Sequence, residues 1–273
     1  MQLLKIPTIV IRTILFFIVT SHACYAQAQL PSPVVLINHR YVLHGVTSNY
    51  FKPFPKNSLP RTGNWKGLFC NERNCEIADA IVEVKSGVIM RCGDEDGDPA
   101  DLVSVSGSPI AIFNGVSLNN GKVVTQLRAM KGMFDSSHFM KLRKLGTWQL
   151  SLGDASIGMS WTMLKTSGPY AYQYRYYISN GATKQLVFST VGMPDMQGNP
   201  ISGGEITPFV HWAGDLDGDG KIDLLLDIPY DMSDQTQYYC EISERLYLSS
   251  SARSNEVLYK AAQGSGSAPG CGC

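Results

Sequence analysis

Residues 214–226 read GDLDGDGKIDLLL, and the spacing of their acids is the chain's clearest chemical statement. Asp215, Asp217, Asp219 and Asp223 bring four carboxylates into one short loop, and Gly218 and Gly220 let the backbone curl tightly enough to aim them at one point. Like charges that close repel, so the arrangement is costly unless a cation sits among them. All-oxygen ligation with flexible geometry suits Ca2+, whereas Mg2+ demands tight octahedral geometry and keeps its waters. A solvated, metal-free turn is the alternative, since Asp and Gly are common in turns. Four carboxylates in this register favour bound calcium.

Set against the helix-loop-helix calcium motif, Asp215, Asp217 and Asp219 stand at positions one, three and five, and Gly220 at the sharp turn. Lys221 stands at position seven and Asp223 at nine. Position twelve, where that motif has a bidentate Glu, is Leu226. The flanks read as strands rather than helices: TPFVHW (207–212) precedes the loop, and IDLLLDI (222–228) runs into Pro229. A calcium loop joining two strands of a hairpin is the expectation. In that form GDLDGDGKIDLLL resembles the calcium-binding loops of FG-GAP/VCBS-type repeats, found in integrin α-chain propellers and many exported bacterial proteins. The resemblance implies side-chain ligation by Asp215, Asp217, Asp219 and Asp223, with the Lys221 carbonyl as a fifth ligand. Propellers of that family stack several blades; this chain shows one clear copy. WAGDLDGDGKIDLLLD, with LYLSSSA (246–252) further on, also looks like a group of exported bacterial proteins that carry a single such motif, a likeness that implies no activity. A weaker echo occurs at GDEDGDPADL (93–102), where Asp94, Asp96 and Asp98 repeat the first positions. There Pro99 replaces the sharp-turn glycine and Asp101 comes one residue early, so an acidic turn is expected before a second metal site.

The elements that must hold the loop are short. Runs of alternating apolar and polar residues, separated by Gly, Asn, Pro and Ser, read as strands at 34–43, 77–84, 102–105, 110–113, 122–127, 147–152 and 156–164. Asn180-Gly181 signals a hairpin between 171–178 (AYQYRYYI) and 184–190, and Asn120-Gly121 signals another between 116–118 and 122–127. Residues 48–64 and 192–205 read as irregular loops, and a short helix capped near Asp135 or Ser136 is expected within the basic segment 128–146. The fold class expected is mainly β: an antiparallel sandwich, an open barrel or a partial propeller-like sheet, with at most one or two short helices. Tyr170, Tyr172, Tyr174 and Tyr176 fall on one face of a regular strand. Such a face could stack on sugar rings, but packing of strand-favouring residues into a sheet is the plainer expectation.

Residues 1–26 have the form of a secretory signal peptide: Lys5 and Arg12, the apolar run TILFFIVT (13–20), then Ala23, Ala26 and Ala28. A secreted or periplasmic protein follows, organised as one mainly β domain over 27–262 and a Gly/Ser-rich tail over 263–273. Lipid attachment at Cys24 is the alternative, with His22 a poor fit to a lipoprotein signal. Signal removal takes two bases and no acids from a balance of 23 and 23, leaving a net charge of −2. Near neutrality without a basic stripe argues against nucleic-acid binding. The six cysteines left are Cys70, Cys75, Cys92, Cys240, Cys271 and Cys273, an even count that reads as disulfides in an oxidising compartment. Cys70 is expected to pair with Cys75 or Cys92, and Cys240 with the C-terminal pair.

Signatures of catalysis are missing: the sequence holds no Gly-x-Ser-x-Gly elbow, His-Glu-x-x-His helix or phosphate-binding Gly-rich loop. His211 lies four residues before Asp215, either near the metal or simply packed beside the hairpin. The leading expectation is a non-catalytic binding or structural module in which Ca2+ rigidifies a hairpin. A calcium-dependent polysaccharide-active enzyme, or a glycan-binding protein with a glycan or cell-surface partner, is the alternative.

Overall fold

The two-residue period of a strand sets which side chains are apolar, because a strand between two layers needs apolar residues on both faces and one facing water needs them on one. The computed structural model describes residues 33–43, 46–71, 74–89, 97–128, 147–165, 172–192, 209–229 and 241–267. All belong to one compact unit, Pro31–Cys273. The expected signal segment 1–26, Cys24, Cys92, Cys240, Cys271, Cys273, nearly all of the basic segment 128–146 and nearly all of the expected loop 192–205 lie outside the described residues.

The first strands are β1 (Val34–Leu43), β2 (Val46–Phe51), β3 (Phe54–Pro55), β4 (Trp65–Cys70), β5 (Cys75–Asp79) and β6 (Val82–Ile89). Next come β7 (Asp98–Val105), β8 (Ala111–Asn114), β9 (Gly121–Arg128), β10 (Thr147–Leu152), β11 (Ala155–Lys165) and β12 (Tyr172–Asn180). The last are β13 (Thr183–Gly192), β14 (Phe209–Asp215), β15 (Asp223–Pro229), β16 (Glu241–Leu248) and β17 (Tyr259–Ser267). Among the described residues there is no helix.

Nine strands in the order β17-β16-β15-β14-β9-β5-β4-β8-β1 form a nearly closed, barrel-like antiparallel sheet. Gln263 N donates to Pro33 O at 3.2 Å, which brings β17 back to β1. Long β1 divides its length: Val34–Ile37 pair with β8, and Asn38–Leu43 pair with β2, a hairpin partner beyond the barrel. Two smaller sheets flank the barrel wall. The meander β10-β11-β12-β13 covers the outer face of β14 to β16, and β3-β7-β6 lies against β1, β4 and β8. The mainly β class is therefore present in a form that combines barrel and sandwich.

β15 shows how the layers are built. Leu224, Leu226 and Ile228 point outward into the core shared with the meander, while Leu225 points inward with Trp212, Leu246, Phe113 and Ile77. Asp223 and Asp227 share Leu225's side by the two-residue period.

Several local expectations change. The run 77–84 breaks at Ala80-Ile81, so β5 stays in the barrel while β6 joins the flanking sheet. Asn120-Gly121 makes no hairpin with 116–118: both edges of β9 are taken, by β5 and β14, and Leu118 is buried in the barrel interior instead. Residues 48–64 include the end of β2 and all of β3. β17 runs to Ser267, past the expected start of the tail. Its glycines permit close packing, for a Cβ at Gly264 would lie 2.2 Å from the Val35 carbonyl oxygen. The Asn180-Gly181 hairpin forms as expected, with Asn180 opposite Thr183 and Gly181 at φ +55.

Candidate metal centre

Hairpin β14–β15 is an interior member of the barrel sheet, held by β9 on one side and β16 on the other. Gly214 opens the loop because nothing larger fits: a Cβ there would lie 2.1 Å from the Val124 carbonyl oxygen and 2.7 Å from the Trp212 ring. Gly218 and Gly220 turn the chain with φ of +86 and +79, a region disfavoured for side chains with a Cβ. Leu216 and Ile222 are buried at the two ends of the turn, one in the barrel interior and one in the outer core. The loop is thereby pinned from both faces of the sheet.

Within it, Asp215, Asp217 and Asp223 each offer a carboxylate oxygen within 4.8 Å of the others, so the trio could hold a metal ion. Backbone amides aim them. Asp215 Oδ1 accepts from Gly218 N at 2.7 Å and Oδ2 from Gly220 N at 2.9 Å. Asp217 Oδ1 accepts from Asp219 N at 3.3 Å. Asp223 Oδ2 accepts from Leu216 N at 2.7 Å and Oδ1 from Ser249 N at 2.8 Å. A carboxylate oxygen has two lone pairs, so these bonds leave room for a cation.

Asp223 is 0% exposed. Burial pushes its carboxyl up to about 7 from 3.8, and the neighbouring Asp217 charge adds to the rise; bonds from Ser249 and Leu216 pull the other way. A buried, electrostatically disfavoured carboxylate among others fits a hard divalent cation.

The fourth expected carboxylate, Asp219, is not one of these three. Asp219 Oδ1 accepts from Lys221 N at 2.9 Å, and its Oδ2 lies 3.6 Å from Lys221 Nζ. Lys221 is exposed. Leu226 faces the outer core, because β15 is a strand and an odd spacing from Asp223 turns position twelve away.

Ser249 and Ser250, at the end of β16, were given no role by the sequence. Ser249 Oγ lies 2.9 Å from both Asp219 oxygens and 3.0 Å from Asp223 Oδ1, and Ser250 Oγ donates to Asp217 Oδ2. An open pocket of about 440 Å³ borders the loop, lined in part by Asp217, Asp219, Ser117, Ser250 and Ser251. Among the described residues no aromatic side chain lines it.

Two other candidate groups have structural surroundings. Tyr172, Tyr174 and Tyr176 are buried in the core between the meander and β14 to β16, and burial raises the Tyr174 phenol. Tyr177, on the opposite face, sits under Lys184 Nζ at 4.2 Å. Of the echo at 93–102, Asp98 begins β7, and Asp101 is buried there, bonded to Arg61 Nη2 at 2.7 Å and Leu59 N at 3.2 Å; Asp94 and Asp96 lie outside the described residues.

His211 belongs to a polar group that sequence reasoning missed. A bulge between Val210 and Trp212 lets it meet Asp227, with Nε2 to Oδ2 at 3.4 Å. Lys52, 1% exposed, lies 3.3 Å from Asp227 Oδ1 and 3.3 Å from Glu244 Oε1. Glu244 Oε2 in turn accepts from Ile37 N at 2.7 Å. His211 thus lies at the end of the hairpin away from the aspartate trio. The period-two pattern in Asp223, Leu225 and Asp227 is the one signal that could have placed Asp227 inside.

Among the described residues a disulfide, Cys70–Cys75, joins β4 and β5 at opposed positions, the first of the two pairings expected for Cys70. Among the described residues no helix is long and apolar enough to cross a membrane. No family model, no curated protein and no solved structure matches the chain.

Proposed function

We propose that this is an exported calcium-binding protein, and that Ca2+ bound by the loop 215–223 rigidifies hairpin β14–β15 in a non-catalytic binding or structural module. The observation that carries this reading is the convergence of Asp215, Asp217 and Asp223 within 4.8 Å, with Asp223 fully buried. Oxygen-only donors favour calcium over softer metals. The likeness of GDLDGDGKIDLLL to FG-GAP/VCBS-type loops supports the same ion. An ion neutralises the trio, and the hairpin gains stability because the unfolded chain lacks the site. At 100 times its dissociation constant, one ligand adds about 2.7 kcal/mol. Thermal melting of the processed chain in chelator and in millimolar Ca2+ tests this. The midpoint rises with calcium; an unchanged midpoint removes the reading.

A second reading, calcium-bridged recognition of an oxygen-rich ligand such as a glycan, is favoured by the pocket that Asp217 and Asp219 line. Recognition there would run through the ion and the hydroxyls of Ser117, Ser250 and Ser251, which line the pocket. Binding of a glycan panel that vanishes in chelator supports it; panel-wide silence in calcium counts against it.

A further inference from the structure

Leu226 is buried in the outer core where the helix-loop-helix motif has its bidentate Glu, so the loop cannot draw a further carboxylate from that position. Two hydroxyls that bond the loop's carboxylates come from another element. After β16 ends at Leu248, the turn at 249–251 brings two hydroxyls and one amide onto three of the loop's four aspartates. Ser249 meets Asp219 and Asp223; Ser250 meets Asp217. Independently of those bonds, Ser250 and Ser251 line the same pocket as Asp217 and Asp219.

We infer that Ser249 and Ser250 are positioning residues of the metal centre, and that the centre is composite: loop 215–223 from β14–β15 closed by the serine turn between β16 and β17. The inference rests on the calcium reading above. Its physical content is orientation. Ser249 N and Oγ fix Asp223, and the Ser249 hydroxyl, with one proton and several acceptors within reach, holds Asp219 beside the trio. Ser250 fixes the Asp217 carboxylate that opens to the pocket. Groups that orient ligating carboxylates typically change metal affinity about 10–100-fold when removed. Loading is also coupled to the turn at 249–258, because the same hydroxyls belong to its first residues.

The test uses the processed chain with Ser250→Ala, Ser249→Ala, the double variant and Ser250→Thr. Calcium affinity is measured by titration calorimetry, and amide exchange across 246–258 is followed in chelator and in Ca2+. Wild type binds calcium and gains protection in that turn. Each alanine variant binds roughly 10–100-fold more weakly, the double variant loses the calcium-dependent protection, and Ser250→Thr keeps wild-type affinity because the hydroxyl remains. Ser250 is exposed, so Ser250→Ala folds and decides the matter even where buried Ser249→Ala does not. Wild-type affinity and protection in Ser250→Ala overturn the inference while leaving the calcium reading intact. A wild type that binds no calcium overturns both.

Discussion

Asp223 concentrates the electrostatic problem of the whole loop in one side chain. Its carboxyl rises to about 7 in the folded chain, first because it is buried, against 3.8 when solvated. For a raised carboxyl the folded state holds a proton that the unfolded state releases. The stability this contributes is complete below pH 3.8 and is lost as pH climbs through about 7. Metal-free protein is therefore expected to melt at a higher temperature at pH 5 than at pH 8, as followed by circular dichroism in chelator; a higher midpoint at pH 8 contradicts this assignment. Asp217 acts differently, being only half-buried and open to the pocket. Asp217→Asn can still accept from Asp219 N through its amide oxygen and donate its amide N–H to Ser250 Oγ, so the fold survives. Calcium affinity falls by at least the roughly 10–100-fold that outer-shell changes cost, measured by calorimetry. The four aspartates could be read from sequence because their spacing is local. Ser249 and Ser250 could not, since they reach the loop from a turn about 30 residues away and serine carries little chemical signature alone.

At the scale of elements, hairpin β14–β15 is held at both ends by polar groups and between them by leucines. One end is the aspartate loop. The other is the buried group of Lys52, Asp227, Glu244 and His211, which ties β15 and β16 to the chain between β2 and β3. Glu244 also captures the Ile37 amide across the seam where β1 meets β17. Removing one member of a buried ion pair leaves its partner uncompensated, at a cost of about 3–5 kcal/mol. Lys52→Met is thus expected to lower stability by that order in denaturant unfolding, with calcium-dependent stabilisation retained. Loss of less than about 1 kcal/mol would show that Lys52 does not hold the seam. Strands β10 and β11 and the Asn180-Gly181 hairpin were legible because alternation and turn chemistry are local. Asn120-Gly121 misled, as β9 satisfies its edges with the distant strands β5 and β14 rather than its neighbour. Lys52 was illegible for a related reason: a lone lysine in a Pro-, Asn- and Lys-rich stretch looks solvated, and only Asp227 and Glu244 from far along the chain make its burial tolerable.

The molecule as a whole places the aspartate loop 215–223 on a rigid wall rather than on a free excursion. A nearly closed nine-strand sheet, sealed outside by the meander and by β3-β7-β6, fixes both strands that carry the aspartates. Such a wall orders the ligands before the ion arrives, which limits the entropy lost on binding. The mainly β class followed from the many short alternating runs, but barrel closure did not, because it depends on Gly264 and Gly266 lying against β1 and the Lys52–Phe54 segment. Gly264→Ala is expected to push β17 from the seam, since its Cβ would lie 2.2 Å from the Val35 carbonyl oxygen, and to speed amide exchange in both strands. Unaltered exchange there argues against closure through this contact. The central claim is met most directly by equilibrium dialysis of the processed chain against millimolar Ca2+, with bound metal counted per chain. Calcium held in the loop gives one ion per chain, lost on Asp215→Asn combined with Asp223→Asn; a chain that retains no calcium contradicts the account.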